Sequence, residues 1–509
     1  MRHILLAGGI FLIVLSPIGT NGDETTRDGD WLVRIEEPHG KRILTMELTL
    51  TPRAEPKPAL KHRLLPDPFR MHNGNAALFY LKAMGFFEQD VVRDRVREFQ
   101  RQAAETAIRP DGSRGTPTPY LWLDLPLEDL PIDEAKQYLR LLSFQEPLLT
   151  EATNRKRFEL DRDIRNVENP YDYLLPEIQS MRELGRMQSL RFRVAVREGR
   201  TEDAIRIAGE QLSMARHLGQ DEFLVSNLVG MAIARMAWDD WPLIYRLADP
   251  PNLYWALAAI PPAFTLSQES LSLESNNLFL AVKPSGSVDQ QPKTPGYWDE
   301  LARESLIALS SLDHDGPTFS DDPGLQGVAM AAAFAAAYPD AKRFLMEQAG
   351  LTRPQVESLD EVQTVLLASR RHFEIASDET FKWAHLPHWQ RTNNEAFAAS
   401  TRFRTDHAGW FTLPTNLLLP AVRSALDYGA TVDAGLAMMR TVEAIRDHAA
   451  HGGGLPMTLD ALRLPAPIDP FTGNPPRYEH RGDHAMVSIV PWPSQEYRLV
   501  LRLANPGDE

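Results

Sequence analysis

No cysteine occurs in the 509 residues, which removes disulfides, a thiol nucleophile, cysteine-based zinc sites and lipoprotein-type lipid attachment. The fold therefore rests on packing alone, and a chain of this length buries enough surface to form two or more packed units. Lysine is scarce as well: of the 54 basic residues only ten are lysine, and the formal net charge is -15. A phosphate-backbone partner needs a basic face that releases counterions, so nucleic acid is not an expected partner. Long apolar runs are also missing. Beyond the N-terminus the longest is Val328 to Tyr338 (VAMAAAFAAAY), which is too short to cross a bilayer and predicts a buried helix, so no membrane span is expected after the leader. The G-x-S-x-G elbow, the Walker A loop and the G-x-G-x-x-G fingerprint are all absent, so the standard signatures of serine hydrolysis, phosphate cradling and dinucleotide binding fail.

What is present begins with an export signal. MRHILLAGGIFLIVLSPIGTNGDE has a basic start at Arg2, an apolar run from Ile4 to Val14, a helix-breaking Pro17 and then small or polar residues. That order predicts a secretory leader over 1–22, with cleavage after Gly22 and an uncleaved N-terminal anchor as the alternative. The expected location is the periplasm or cell envelope of a bacterium.

Residues 23–56 read as a β-hairpin segment. Leu44, Met46, Leu48 and Leu50 alternate with Thr45, Glu47 and Thr49, and Pro38-His39-Gly40 supplies the turn. Helical periodicity then dominates 57–412, with a Pro- and Gly-rich break at 283–296. Its clearest unit is a helix pair. Met187, Leu190 and Val194 form one stripe, Glu198-Gly199-Arg200 a stop, and Ala204, Ala208, Leu212 and Ala215 a narrow second stripe whose helix Thr201 is expected to cap. This predicts a mainly α, irregular antiparallel helical array, TPR-like or α-solenoid-like, without a second copy at fixed period. Residues 413–509 read as a long helix plus a small α+β module. Val432, Leu436, Met439, Val442, Ile445 and Ala449 share one helix face, and Arg440, Glu443 and Arg446 lie off it.

PALKHRLLP, GNAALFYLKAM, WLDLPLEDLP and LLPEIQSMRELGRMQSLRFRVAVREGRTEDAIRIAGEQLSMARHLG resemble a family of exported helical proteins abundant in planctomycete-type bacteria. The resemblance is strongest from Pro58 to Trp241 and implies shared architecture; it brings no catalytic residues. The long helix leading into GGGLPMTLDALRLPAPIDPFTGNPPRYEHRG resembles the C-terminal region of type II secretion major pseudopilins, where an acidic loop can hold calcium. That resemblance implies a module, and it marks Asp469, Glu479 and Asp483 as calcium candidates. The pseudopilin N-terminal methylation signal is absent.

A second calcium candidate is the acidic loop DHDGPTFSDD with Asp313, Asp315 and Asp321, although its spacing misses the EF-hand pattern and a solvated loop capping the next helix is the simpler reading. His385/His388 and His448/His451 have H-x-x-H spacing but lack the Glu that follows the first His in zincins, and Pro387 interrupts the first pair. Asp239-Asp240 between Trp238 and Trp241 is the most suggestive acidic pair for sugar chemistry; on the plainer reading the tryptophans complete a buried face and the acids meet water. Arg481-Gly482-Asp483 reads as turn chemistry.

Together these features predict an exported, non-enzymatic helical protein that binds a protein or polymer. A hydrolase or lyase on a helical toroid, and an envelope component assembling through its C-terminal module, are the alternatives. N-terminal sequencing of the exported chain is expected to begin at Asp23; a product still beginning at Met1 would identify the anchor instead.

Overall fold

The computed structural model describes residues 25–504 except 37, 39, 86–89, 107–118, 167–174, 278–287, 295, 313–322 and 407–409. The chain is mainly helical, with strands near both ends. It divides into two compact units. One contains Gln268–Asp427; the other contains residues 25–161, Leu175–Ser267 and Tyr428–Glu509.

The second unit is built on a six-stranded sheet. β1 (Thr26–Asp28), β2 (Trp31–Glu36) and β3 (Lys41–Leu50) form an antiparallel meander, as the alternation predicts. β4 (His72–Asn75) and β5 (Arg155–Arg157) make a separate parallel pair. β6 (Arg477–His480), β7 (Ala485–Trp492) and β8 (Gln495–Leu503) form the C-terminal meander. The ends of the chain are not separate modules: β3 pairs in parallel with β8 from Arg42↔Gln495 to Leu50↔Leu503, giving the order β1-β2-β3-β8-β7-β6. Both central strands bury alternate residues, among them Met46, Leu48, Tyr497, Leu499 and Leu501.

Helices α1 (Ala77–Ala83), α2 (Pro176–Arg197), α3 (Thr201–Leu218) and α4 (Leu224–Asp240) complete this core. α2 and α3 form the predicted hairpin, with Gly199 at φ +73 in the turn. Ala204, Ala208, Leu212 and Ala215 are all buried. Small residues set the helix spacing elsewhere too: a Cβ on Gly185 would meet Ile233 at 2.8 Å, and one on Gly435 would meet the Trp238 ring at 2.5 Å. The cap of α3 differs from expectation. Thr201 is the first helical residue and Arg200 takes the cap position without a side-chain cap bond, while Asp203 in the first turn pairs with Arg200 and Arg206.

The long helix runs from Leu413 to Gly452, well ahead of the periodic stretch that begins at Val432. The predicted stripe is buried apart from the half-buried Leu436, but Glu443 and Arg446, expected off the apolar face, are fully buried as well. The physical reason is an internal pair with a hydrogen-bonded shell. Arg446 meets Glu443 at 2.9 Å, and its guanidinium donates to the carbonyls of Thr51, Pro250 and Pro251 at 3.1, 2.6 and 3.1 Å. Next to it, Asp447 accepts from the Glu55 N–H and pairs with Arg463 at 2.7 Å.

The first unit has its own core of Trp298, Ala341, Phe344, Leu345, Val365, Leu367 and Phe411. The helix Pro323–Glu347 contains the Ala-rich run, but that run is not the buried helix predicted. Val328 is 70% exposed; Ala337 and Ala341 are the buried contacts, because only one face of the helix reaches this core.

Removing Arg446 would leave a buried carboxylate and three carbonyls without their donor. Arg446→Met is expected to destabilise the sheet-bearing unit by roughly 3–5 kcal/mol in urea unfolding, and the paired variant Glu443→Gln/Arg446→Met is expected to recover part of that loss.

Candidate functional site

The suggestive WDDW stretch closes α4, and its two kinds of residue separate. Trp238 and Trp241 are 1% and 2% exposed, so neither offers a face to a sugar. Both acids reach solvent in part but are held by arginines. Arg235 Nε lies 2.8 Å from Asp239, and Arg193 lies 3.1 Å from Asp240.

Arg193 is the hub of this cluster. From α2 it also reaches Asp30, at 3.4 Å, and donates to the Leu125 carbonyl. Asp30 is held in turn by Arg246 at 2.8 Å and by the Leu127 N–H at 3.1 Å. Arg235 packs against two aromatics that also touch each other, its guanidinium 4.4 Å from the Trp238 ring centre and 4.7 Å from that of Tyr497, whose hydroxyl it also meets. Trp31 Nε1 donates to the Asp239 carbonyl at 3.2 Å and packs edge-on against Tyr497. The sheet and α4 are thereby joined through charge and aromatic contacts together.

Burial governs the electrostatics. It pushes the Asp239 carboxyl up to about 6, with Arg235 pulling the other way and Asp28 and Asp240 adding to the rise. Asp240 is raised by the same cause and opposed by Arg193. Asp124 is raised by burial and by the charge of Asp28. Beside these acids, Tyr428 is raised by burial and senses Arg235, Asp239 and Arg182.

Arg182 stands apart from the other arginines here. One turn along α2, Arg186 pairs with Glu183 at 2.7 Å and lies 4.8 Å over the Tyr120 ring. Arg182 is half-buried, its Nε lacks a partner, and among the described residues no carboxylate pairs with it. Burial and the neighbouring charge of Arg186 both lower its affinity for the proton. Among the described residues, then, Arg182 forms no ion pair, although the charge of the adjacent Glu183, whose Oε2 also lacks a hydrogen-bond partner, acts on it.

The other sequence-predicted sites that fall within the described residues form no metal centre there. Among the described residues no three His, Asp or Glu side chains are placed to hold a metal. Asp469 is buried and serves its own turn, accepting from the Phe471 N–H at 2.9 Å, while the Thr472 and Gly473 N–H groups donate to its carbonyl. Glu479 is taken by Arg481 and Asp483 by His484, at 2.7 Å, in the turn between β6 and β7. Asp313, Asp315 and Asp321 lie outside the described residues. His385 ends a 3-10 turn and His388 begins a new helix after Pro387; His388 then meets Asp427 at 3.2 Å. His451 donates from Nδ1 to the Asp447 carbonyl at 2.8 Å.

A cavity of about 30 Å³ between Trp383, Arg391, Phe397 and Leu419 holds little more than one water. Asp433, pushed up to about 7 by burial, accepts from the N–H of Ala263, a residue held at φ +51, and so braces that strained turn. Sequence reasoning reached Asp239 and Asp240 but missed Arg182, Arg193, Arg235, Asp30, Tyr428 and Tyr497. No motif joins residues this far apart in the chain; the only signal was a preference for arginine over lysine. Comparison with protein-family models, with curated proteins and with solved structures finds no match.

The folded Asp239 carboxyl, raised from 3.8 to about 6, binds its proton more tightly than in the unfolded chain. Its contribution to stability is therefore fully present below pH 3.8 and is lost as pH rises to about 6. Paired melting curves are expected to show wild type losing stability relative to Asp239→Asn across that window, with a constant difference above it.

Proposed function

We propose that the protein is an exported, non-enzymatic binding or scaffold component of the bacterial cell envelope, and that the charged cluster around α2 receives a carboxylate-bearing polymer or protein segment. The leader-like N-terminus supports export. A single observation supports the site: Arg182 is half-buried and unmatched, next to Arg186, Tyr120 and Tyr428, while Glu183, Asp239 and Asp240 already have arginine partners. Desolvating a guanidinium costs free energy unless an anion completes it, and planar carboxylates fit its fork. The buried tryptophans favour this reading over sugar stacking.

One observation favours an enzyme. Asp239 has about 35% of its side chain exposed and a carboxyl raised to about 6, the range in which a general acid works near neutral pH. The two readings part in one experiment, with polygalacturonate as the probe. Binding by wild type that Arg182→Gln weakens about tenfold, without new reducing ends, is the expected result. Release of reducing ends that Asp239→Asn abolishes would replace binding by hydrolysis.

A further inference from the structure

The chain carries a net charge of -15, yet residues 57–82, the loop that precedes β4 together with β4 and most of α1, run the other way. Lys57, Lys61, Arg63, Arg70 and Lys82 stand there against the single acid Asp67. Asp67 is itself spent locally. It pairs with Arg63 at 3.4 Å, accepts the Phe69 N–H on its side chain at 3.0 Å, and accepts the Arg70 and Met71 N–H groups on its carbonyl.

One side of this loop is fixed to α3. A Cβ on Gly209 would lie 2.4 Å from the Leu64 carbonyl oxygen, so the loop backbone rests directly on the helix. Seven residues further, on the same helix face, Arg216 meets the Met71 sulfur at 3.7 Å. His62, Leu64 and Met71 are buried beneath. Leu60, 55% exposed, and Phe69, 93% exposed, share this segment with exposed Lys61, Arg63 and Arg70. Basic charge continues nearby: Lys82 lies 6.0 Å over the Phe79 ring and Lys156 and Arg157 lie along β5, while Arg155, 4.9 Å over the same ring, is paired with Glu151.

We propose that this loop is a peripheral docking element for an anionic lipid bilayer, with Phe69 and Leu60 entering the headgroup boundary and Lys61, Arg63 and Arg70 meeting the lipid phosphates. A rigid turn that holds a phenylalanine almost wholly in water forgoes its hydrophobic burial. A soluble polyanion would satisfy the cations but give that ring no apolar phase. An anionic bilayer surface supplies both within a few ångströms of depth. This inference does not rest on Arg182 or on the charged cluster around α2.

The test uses the chain from Asp23 onward, the form expected after export, and every strand of the sheet lies within it. Co-sedimentation is measured with vesicles of phosphatidylcholine alone and of phosphatidylcholine mixed with phosphatidylglycerol. Binding to the anionic vesicles only, reversed by salt, is expected. Phe69→Ser and Lys61→Glu/Arg70→Glu should each weaken it about tenfold or more. Phe69→Trp should report entry by a blue shift of its emission on anionic vesicles alone. These side chains are exposed, so the variants are expected to keep the wild-type circular dichroism and melting temperature. Absence of vesicle binding, binding unchanged by Phe69→Ser, an unshifted tryptophan, or binding to soluble polyphosphate but not to vesicles would each overturn the proposal.

Discussion

The parallel pairing of β3 with β8 is the constraint on which the sheet-bearing unit depends. It joins strands separated by almost the whole chain, at register Arg42↔Gln495 through Leu50↔Leu503. Immediately after β3 the chain is caught again. The Arg53 N–H donates to the Arg446 carbonyl, the Arg446 guanidinium donates to the Thr51 carbonyl, and the Glu55 N–H donates to Asp447. Strand, connector and long helix are thus tied by one run of backbone and charged contacts. A buried arginine suits this junction because its fork satisfies several carbonyls at once, whereas an apolar residue would leave them unpaired.

The same economy governs the charges near α4. Arg193 and Arg235 each hold an acid while also making a backbone or aromatic contact, and Arg246 holds two acids, Asp30 and Glu128. Such centres cost desolvation and return geometric specificity, because each guanidinium accepts only a narrow set of partner positions. The raised carboxyl of Asp239 shows that this compensation is incomplete. Unmatched charge at a half-buried place is what distinguishes Arg182 from these structural arginines.

Charge is also unevenly distributed over the unit. An acidic chain places a mostly basic segment against α3, and that segment carries an exposed phenylalanine. Net charge describes the average field, while recognition follows the local one.

Periodicity by itself determined the helical class, the α2/α3 hairpin with its small-residue stripe and the N-terminal hairpin. Each of these is a local pattern, set by side-chain spacing along a few turns or strand residues. The union of the two ends in one sheet was decided only by the tertiary structure, since alternation marks a strand but not its neighbour. So were the inward placement of Glu443 and Arg446, the exposure of Val328 and the Arg193 cluster. Charge on a helix predicts solvent only while no partner comes from elsewhere in the chain, and here the partners of Arg446 come from Thr51, Pro250 and Pro251. Which side chains meet across such separations is settled by packing, and no short stretch of sequence contains it.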